Sequence, residues 1–110
     1  MKFRIEVTRN FEKDAKPLFK KYSSLKADLL ELFAQLELNP ELGTPIGHNL
    51  FKIRIAITSK AKGKSGGARI ISYVILKKEE IHLISIYDKS EYDTAKTSVL
   101  LDIIKGEGLL

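Results

Sequence analysis

Residues 50–87 read LFKIRIAITSKAKGKSGGARIISYVILKKEEIHLISIY, and their pattern decides the fold. Phe51, Ile53, Ile55 and Ile57 alternate with Lys52, Arg54, Ala56 and Thr58, a period of two that turns one set of side chains into a core and the other away from it. Residues 69–76 form a second run, dense in the β-branched side chains that suit a pleated sheet, and residues 81–87 form a third. The joint over 59–67 is rich in Lys and Gly, and 77–80 is a short turn. The three runs predict a meander of antiparallel strands.

Working outward, Phe3, Ile5 and Val7 alternate with Arg4, Glu6 and Thr8 and predict a further strand. From Phe11 the period changes: Phe11, Ala15, Leu18, Phe19 and Tyr22 fall on one helical stripe. Pro17 within it argues against a regular helix interior. Ser23-Ser24 offers an N-cap for a second stripe of Leu25, Leu29, Leu32, Phe33 and Leu36, and Asn39-Pro40 ends it. Residues 41–49, with Gly43, Pro45 and Gly47, read as a loop. After the third strand, Ser90 predicts the cap of a last helix, with Asp93 as its capping-box partner. Ala95, Val99, Leu100, Ile103 and Ile104 make its apolar side, and Gly106 stops it. The expected architecture is α+β: strand-helix-helix-strand-strand-strand-helix, a small antiparallel sheet with helices packed on one face and the other face partly open.

A chain of 110 residues is the size of one domain, so residues 1–110 are expected to form a single unit. With 44% apolar and 30% charged residues the composition is globular rather than disordered. The absence of Cys excludes disulfides, Cys-based zinc sites and a Cys nucleophile, and fits a reducing, cytoplasmic setting. The alternating N-terminus is not a signal peptide, and no apolar run approaches the ~20 residues that a membrane-spanning helix needs.

Charge is distributed unevenly. Residues 42–78 hold no acid and eight bases: Lys52, Arg54, Lys60, Lys62, Lys64, Arg69, Lys77 and Lys78. The other residues carry 11 bases against 14 acids, so the net charge of +5 comes wholly from the middle of the chain. Such a one-sided field attracts polyanions, nucleic acid above all. Lys52 and Arg54, two apart on one strand, share a face. Arg69 joins that face only in one pairing register, which the sequence leaves open. In that register three cations converge beneath a loop carrying Lys60, Lys62 and Lys64, a cluster able to hold a phosphodiester, with the planar guanidinium bonding two phosphate oxygens at once. The plainer reading of a Lys-rich turn is a soluble hairpin with a blocked edge, but no acid in the segment offsets its bases.

Other signals are weaker. Gly63-Lys64-Ser65 ends like a P-loop, but Thr58 stands where that pattern requires Gly, and a strand follows where it requires a helix. His48 and His82 have no ligand-spaced partner, so no metal site is expected, and no Ser has an adjacent His-acid arrangement. Tyr87, Lys89 and Tyr92 follow one another around the end of the last strand, where an exposed ring beside a basic face can stack on a base. Tyr73 is better read as covering the sheet.

The run from Leu50 to Tyr73, with Lys60-Ala-Lys-Gly-Lys-Ser-Gly-Gly-Ala-Arg69 at its centre, together with Leu83 to Glu91, resembles the RelE/ParE toxin superfamily, and within it the HigB-like branch. Lys20-Lys21-Tyr22 and Leu38-Asn39-Pro40 add to the likeness, which covers nearly the whole chain in element order. The resemblance implies a RelE-like fold and the toxin of a type II toxin–antitoxin pair, cutting messenger RNA on the ribosome without metal or cofactor. It implies a cognate antitoxin whose acids neutralise the basic surface. It places Arg69, Arg54 and Lys64 in catalysis, with Lys64 as the base once neighbouring cations lower its pKa from about 10.4. Lys52, Lys60, Lys62, Lys89, Tyr87 and Tyr92 are placed against RNA. Ala61 stands where the fuller pattern often has Gly, and the usual Arg with Tyr or His after the last strand is replaced by Lys89 and Tyr92. The alternatives are a ParE-like inhibitor of DNA gyrase that acts by binding alone, and a non-catalytic RNA-binding regulator of the same fold.

Overall fold

The computed structural model describes residues 3–60, 66–89 and 96–110. Strand β1 spans Arg4–Val7 and is followed by helices α1 (Arg9–Lys21) and α2 (Leu25–Leu38). Strands β2 (Thr44–Gly47), β3 (Leu50–Ile55), β4 (Ala68–Ile75) and β5 (Glu80–Asp88) come next, and α3 (Thr97–Gly106) ends the described chain. The sheet order is β1-β5-β4-β3-β2. β3, β4 and β5 form the expected antiparallel meander.

Three features depart from the sequence reading. β1 pairs parallel to β5, Ile5 opposite Ile81, so the sheet is mixed rather than purely antiparallel. Residues 44–47, read as loop, form the edge strand β2. Pro45 is tolerated there because an edge strand leaves one side of its backbone without a ladder partner, and the hairpin to β3 closes through His48 and Asn49 at φ 56 and 62. The helices also do not all share one face. α1 and α2 cover one side, and α3 covers part of the other.

The first core joins Phe11, Ala15 and Leu18 of α1 and Leu25, Leu29, Leu32 and Leu36 of α2 to Ile53, Ile55, Ala68, Ile70, Ile81 and Leu83 of the sheet. Burying each of the Phe, Leu and Ile side chains contributes about 1.5–3 kcal/mol. α1 is capped by Thr8, whose hydroxyl accepts the Phe11 N–H at 3.1 Å. It runs on through Pro17, which lies on its exposed side, where water can serve the carbonyl that loses its helical donor. Ser24 occupies the N-cap of α2, but its hydroxyl donates to the Asp28 carboxylate at 2.9 Å rather than capping the backbone.

The second core packs Leu100 and Ile104 of α3 on Leu50, Ile71, Tyr73, Ile84 and Tyr87. α3 begins at Thr97 with Lys96 at its N-cap. The expected Ser90–Asp93 capping box lies outside the described residues. Among these residues no helix is long and apolar enough to cross a membrane.

Candidate nucleic-acid interface

The alternation of β3 sends Ile53 and Ile55 under α1 and α2, so Lys52 and Arg54 must turn to the opposite, α3-side face. Register then decides what they meet. Arg54 lies directly opposite Arg69, and Arg69 lies directly opposite Tyr87. One row across three strands therefore reads Arg54, Arg69, Tyr87, with side-chain origins about 5 Å apart. Lys52 sits two positions along β3, opposite Ile71. The convergence of Lys52, Arg54 and Arg69 is the register that the sequence left open.

The three cations differ in surroundings. Arg54 is exposed and Lys52 half-buried. Arg69 is only 1% exposed, and its Nη1 donates to the Ala68 carbonyl at 3.3 Å. Like charges at directly opposed sheet positions are destabilising, and withdrawing a charge from water adds a cost that its partners must offset. Tyr87 is 3% exposed and belongs to the second core, as does Tyr73. Tyr87 therefore packs beneath α3 and does not present a free stacking surface.

Lys60 stands elsewhere. It is the last residue of the short helical turn Thr58–Lys60, and its ammonium donates to Asp88 Oδ1 at 2.7 Å and to the Gly66 carbonyl at 2.7 Å. Asp88 is fully buried and also accepts the Tyr22 hydroxyl at 2.6 Å, while Lys21 reaches it at 3.9 Å. The Lys60 ammonium lies 5.4 Å from the Tyr22 ring centre. Burial alone would lower the Lys60 pKa, but the hydrogen bond and charge of Asp88 outweigh it and hold it above the ordinary lysine value. Lys60 is therefore a committed cation. Asp88 was not singled out from the sequence, and Tyr22 entered only as a member of the first helical stripe and of the Lys20-Lys21-Tyr22 likeness; the available signal for Asp88 was an acid ending a strand of buried apolar residues.

Lys89 is half-buried, and its N–H donates to the Gly67 carbonyl at 3.0 Å. Lys62, Lys64 and Tyr92 lie outside the described residues. Gly67 has no room for a side chain, since a Cβ there would fall 1.9 Å from the Ile55 carbonyl oxygen. The exit of the basic loop is thereby pressed against β3.

Two concavities flank these elements. A cleft of about 390 Å³ separates α2 from β3, with the β3 segment 52–55 on one wall and Asp28 and Glu31 on the other. Asp28 accepts from the Thr58 hydroxyl at 2.6 Å and the Thr58 N–H at 3.0 Å. Partial burial raises its pKa, but these bonds and that from Ser24 prevail and set it below the ordinary value. The second concavity is an apolar groove between α1 and α2, where Phe19 and Leu30 are 44% and 59% exposed. Lys13, Lys16, Lys20 and Lys26 line its rim. Among the described residues no group of three or more His, Cys, Asp or Glu is placed to hold a metal.

The mixed five-stranded sheet, with a helical hairpin on one face and a terminal helix on the other, is the RelE-like toxin fold. No known protein-family model matches the chain. Among solved structures, a mutant of the Escherichia coli toxin RelE in the free state aligns with a TM-score of 0.61 at 16% identity, over 96% of this chain and 98% of that one. RelE in complex with a peptide of the antitoxin RelB aligns with a TM-score of 0.61 at 17% identity, over 93% of each chain. A metal-bound toxin from Helicobacter pylori aligns at 0.52 and 16% identity, over 83% of this chain and 99% of that one. At such identities the likeness establishes the fold; activity has to be argued from the site.

Proposed function

We propose that this chain is the toxin of a type II toxin–antitoxin pair and that it cleaves RNA on the face bearing Lys52, Arg54 and Arg69. The observation that carries this reading is the direct cross-strand pairing of Arg54 with Arg69, on a fold shared with RelE. In the proposed reaction the ribose 2′-oxygen attacks the adjacent phosphorus, the P–O5′ bond breaks, and a 2′,3′-cyclic phosphate and a 5′-hydroxyl result. The attacking hydroxyl loses its proton to a base, and the leaving oxygen gains one from an acid. The exposed Arg54 matches the negative charge that builds on the phosphoryl oxygens, with the buried Arg69 next to it in the row, and stabilising such developing charge is usually the main source of rate enhancement. Lys64 is the proposed base. Lys52, Lys62, Lys89 and Tyr92 are proposed to track the strand. Action on ribosome-bound messenger RNA in the cytoplasm, and the HigB-like branch, belong to the same proposal.

The partner is proposed to be an antitoxin, as RelB is for RelE. The apolar groove between α1 and α2, rimmed by lysines, suits an acidic amphipathic helix.

A second reading, a ParE-like gyrase inhibitor acting by binding alone, is favoured by the near-complete burial of Arg69 and Tyr87. Inducing the protein without a partner separates the two. Mapping transcript ends should reveal new 5′-hydroxyl termini, lost with Arg69→Ala. Intact transcripts with DNA damage would instead establish the gyrase reading, and normal growth the non-catalytic one.

A further inference from the structure

We infer that Lys60 does not contact RNA but is a positioning residue, clamping both ends of the basic loop to Asp88 behind the Arg54–Arg69 row. This rests on the RNA-cleaving reading. Residues 61–65 lie between Lys60 and Gly66, and the Lys60 ammonium bonds the Gly66 carbonyl directly. The same ammonium bonds Asp88. Asp88 pairs with Ala68 in the ladder and is the neighbour of Tyr87, the last member of the basic row. It faces the α1 side, where Tyr22 donates to it. Gly67 abuts Ile55, and its carbonyl accepts the Lys89 N–H. The two ends of the loop are therefore held together and fastened to β3 and β5. With its side chain 12% exposed and bound to a buried carboxylate, Lys60 has little capacity left for a phosphate. A cation inside an acid-free basic run thus serves geometry, and its acid comes from outside that run.

The test compares Lys60→Gln, Asp88→Asn, the neutral double variant and Lys60→Arg with Lys52→Gln, using ribosomes programmed with a messenger RNA for cleavage and a single-stranded RNA oligonucleotide for affinity. Lys60→Gln and Asp88→Asn should each slow cleavage about a hundredfold, as misplaced catalytic groups do, and the double variant should do no worse than either. Lys60→Arg should restore much of the rate. The dependence of RNA affinity on salt should keep its slope in the Lys60 variants, whereas Lys52→Gln should lose about 0.7 in slope, one phosphate's share. Hydrogen exchange of the Lys89 amide, which reports the Gly67 contact, should accelerate in Lys60→Gln. A slope loss in Lys60→Gln equal to that of Lys52→Gln overturns the inference, and so does unaltered exchange at Lys89. No cleavage by the wild-type protein overturns the RNA-cleaving reading instead, and exchange then still decides whether the clamp exists.

Discussion

Arg54 and Arg69 are directly opposed on neighbouring antiparallel strands, one exposed and one almost wholly buried. Like charges at directly opposed sheet positions destabilise by a few tenths to about 1 kcal/mol. Arg54→Gln should therefore raise the urea midpoint slightly while reducing RNA cleavage by a factor on the order of 10² to 10³, the usual cost of losing one charge-stabilising donor. Loss of both stability and cleavage would show that Arg54 is structural.

The Tyr22 hydroxyl supplies one of the hydrogen bonds that hold the buried Asp88 carboxylate. Tyr22→Phe removes the donor and leaves the acceptor in place, a change that costs about 1–3 kcal/mol. Urea unfolding should show it as a lower midpoint at unchanged slope. An unaltered midpoint would mean that Asp88 is satisfied without Tyr22.

The pH dependence of folding has two identified contributions. Asp28 has a folded pKa below its ordinary 3.8, so its contribution is present above that value and is lost as pH falls through the lowered one. Asp28→Asn should flatten the acid limb of the stability profile. Lys60 has a folded pKa above its ordinary 10.5, so its contribution is present below that value and is lost as pH rises through the raised one. Lys60→Gln should flatten the alkaline limb. Denaturant midpoints across pH measure both, and an acid limb indifferent to Asp28→Asn would show that this carboxylate does not contribute.

The Gly67 backbone touches β3 so closely that any side chain would collide with the Ile55 carbonyl. Gly67→Ala should destabilise by more than the ~1 kcal/mol by which a compatible Gly-to-Ala change stabilises, because relief requires moving β4 from β3. Thermal unfolding checks this, and a Tm at or above that of the wild type would mean that the loop exit yields freely.

The groove between α1 and α2 lies on the face opposite the arginine row. Leu30→Glu, placed on an exposed apolar residue with lysines nearby, should leave RNA cleavage intact and abolish neutralisation by the proposed antitoxin. Co-expression growth assays and pull-down of the pair read this directly. Retained neutralisation would move the partner's main contact elsewhere.

Local pattern carried a large part of the fold. Alternation marked β1 and β3, and helical stripes marked α1 and α2, because each of these segments buries one face and polarity must follow the backbone period, whereas β4 and β5, buried on both faces, showed only as apolar runs. β2 was not legible, since four residues containing Pro45 and Gly47 bury too little to leave a pattern. α3 was placed, but on the wrong side, because an apolar stripe says only that a helix packs, not on which face of the sheet.

By itself, the amino-acid order determined that residues 50–87 form a meander, basic through residue 78, with Lys52 and Arg54 turned away from the core, as charge and period two are properties of adjacent residues. Only the tertiary structure decided that Arg69 stands opposite Arg54 while Lys60 is bound to Asp88. A one-residue slip of β4 would have sent Arg69 to the other face. Lys60 and Asp88 are 28 positions apart, and their meeting depends on the packing of α1, the basic loop and β5 into one assembly.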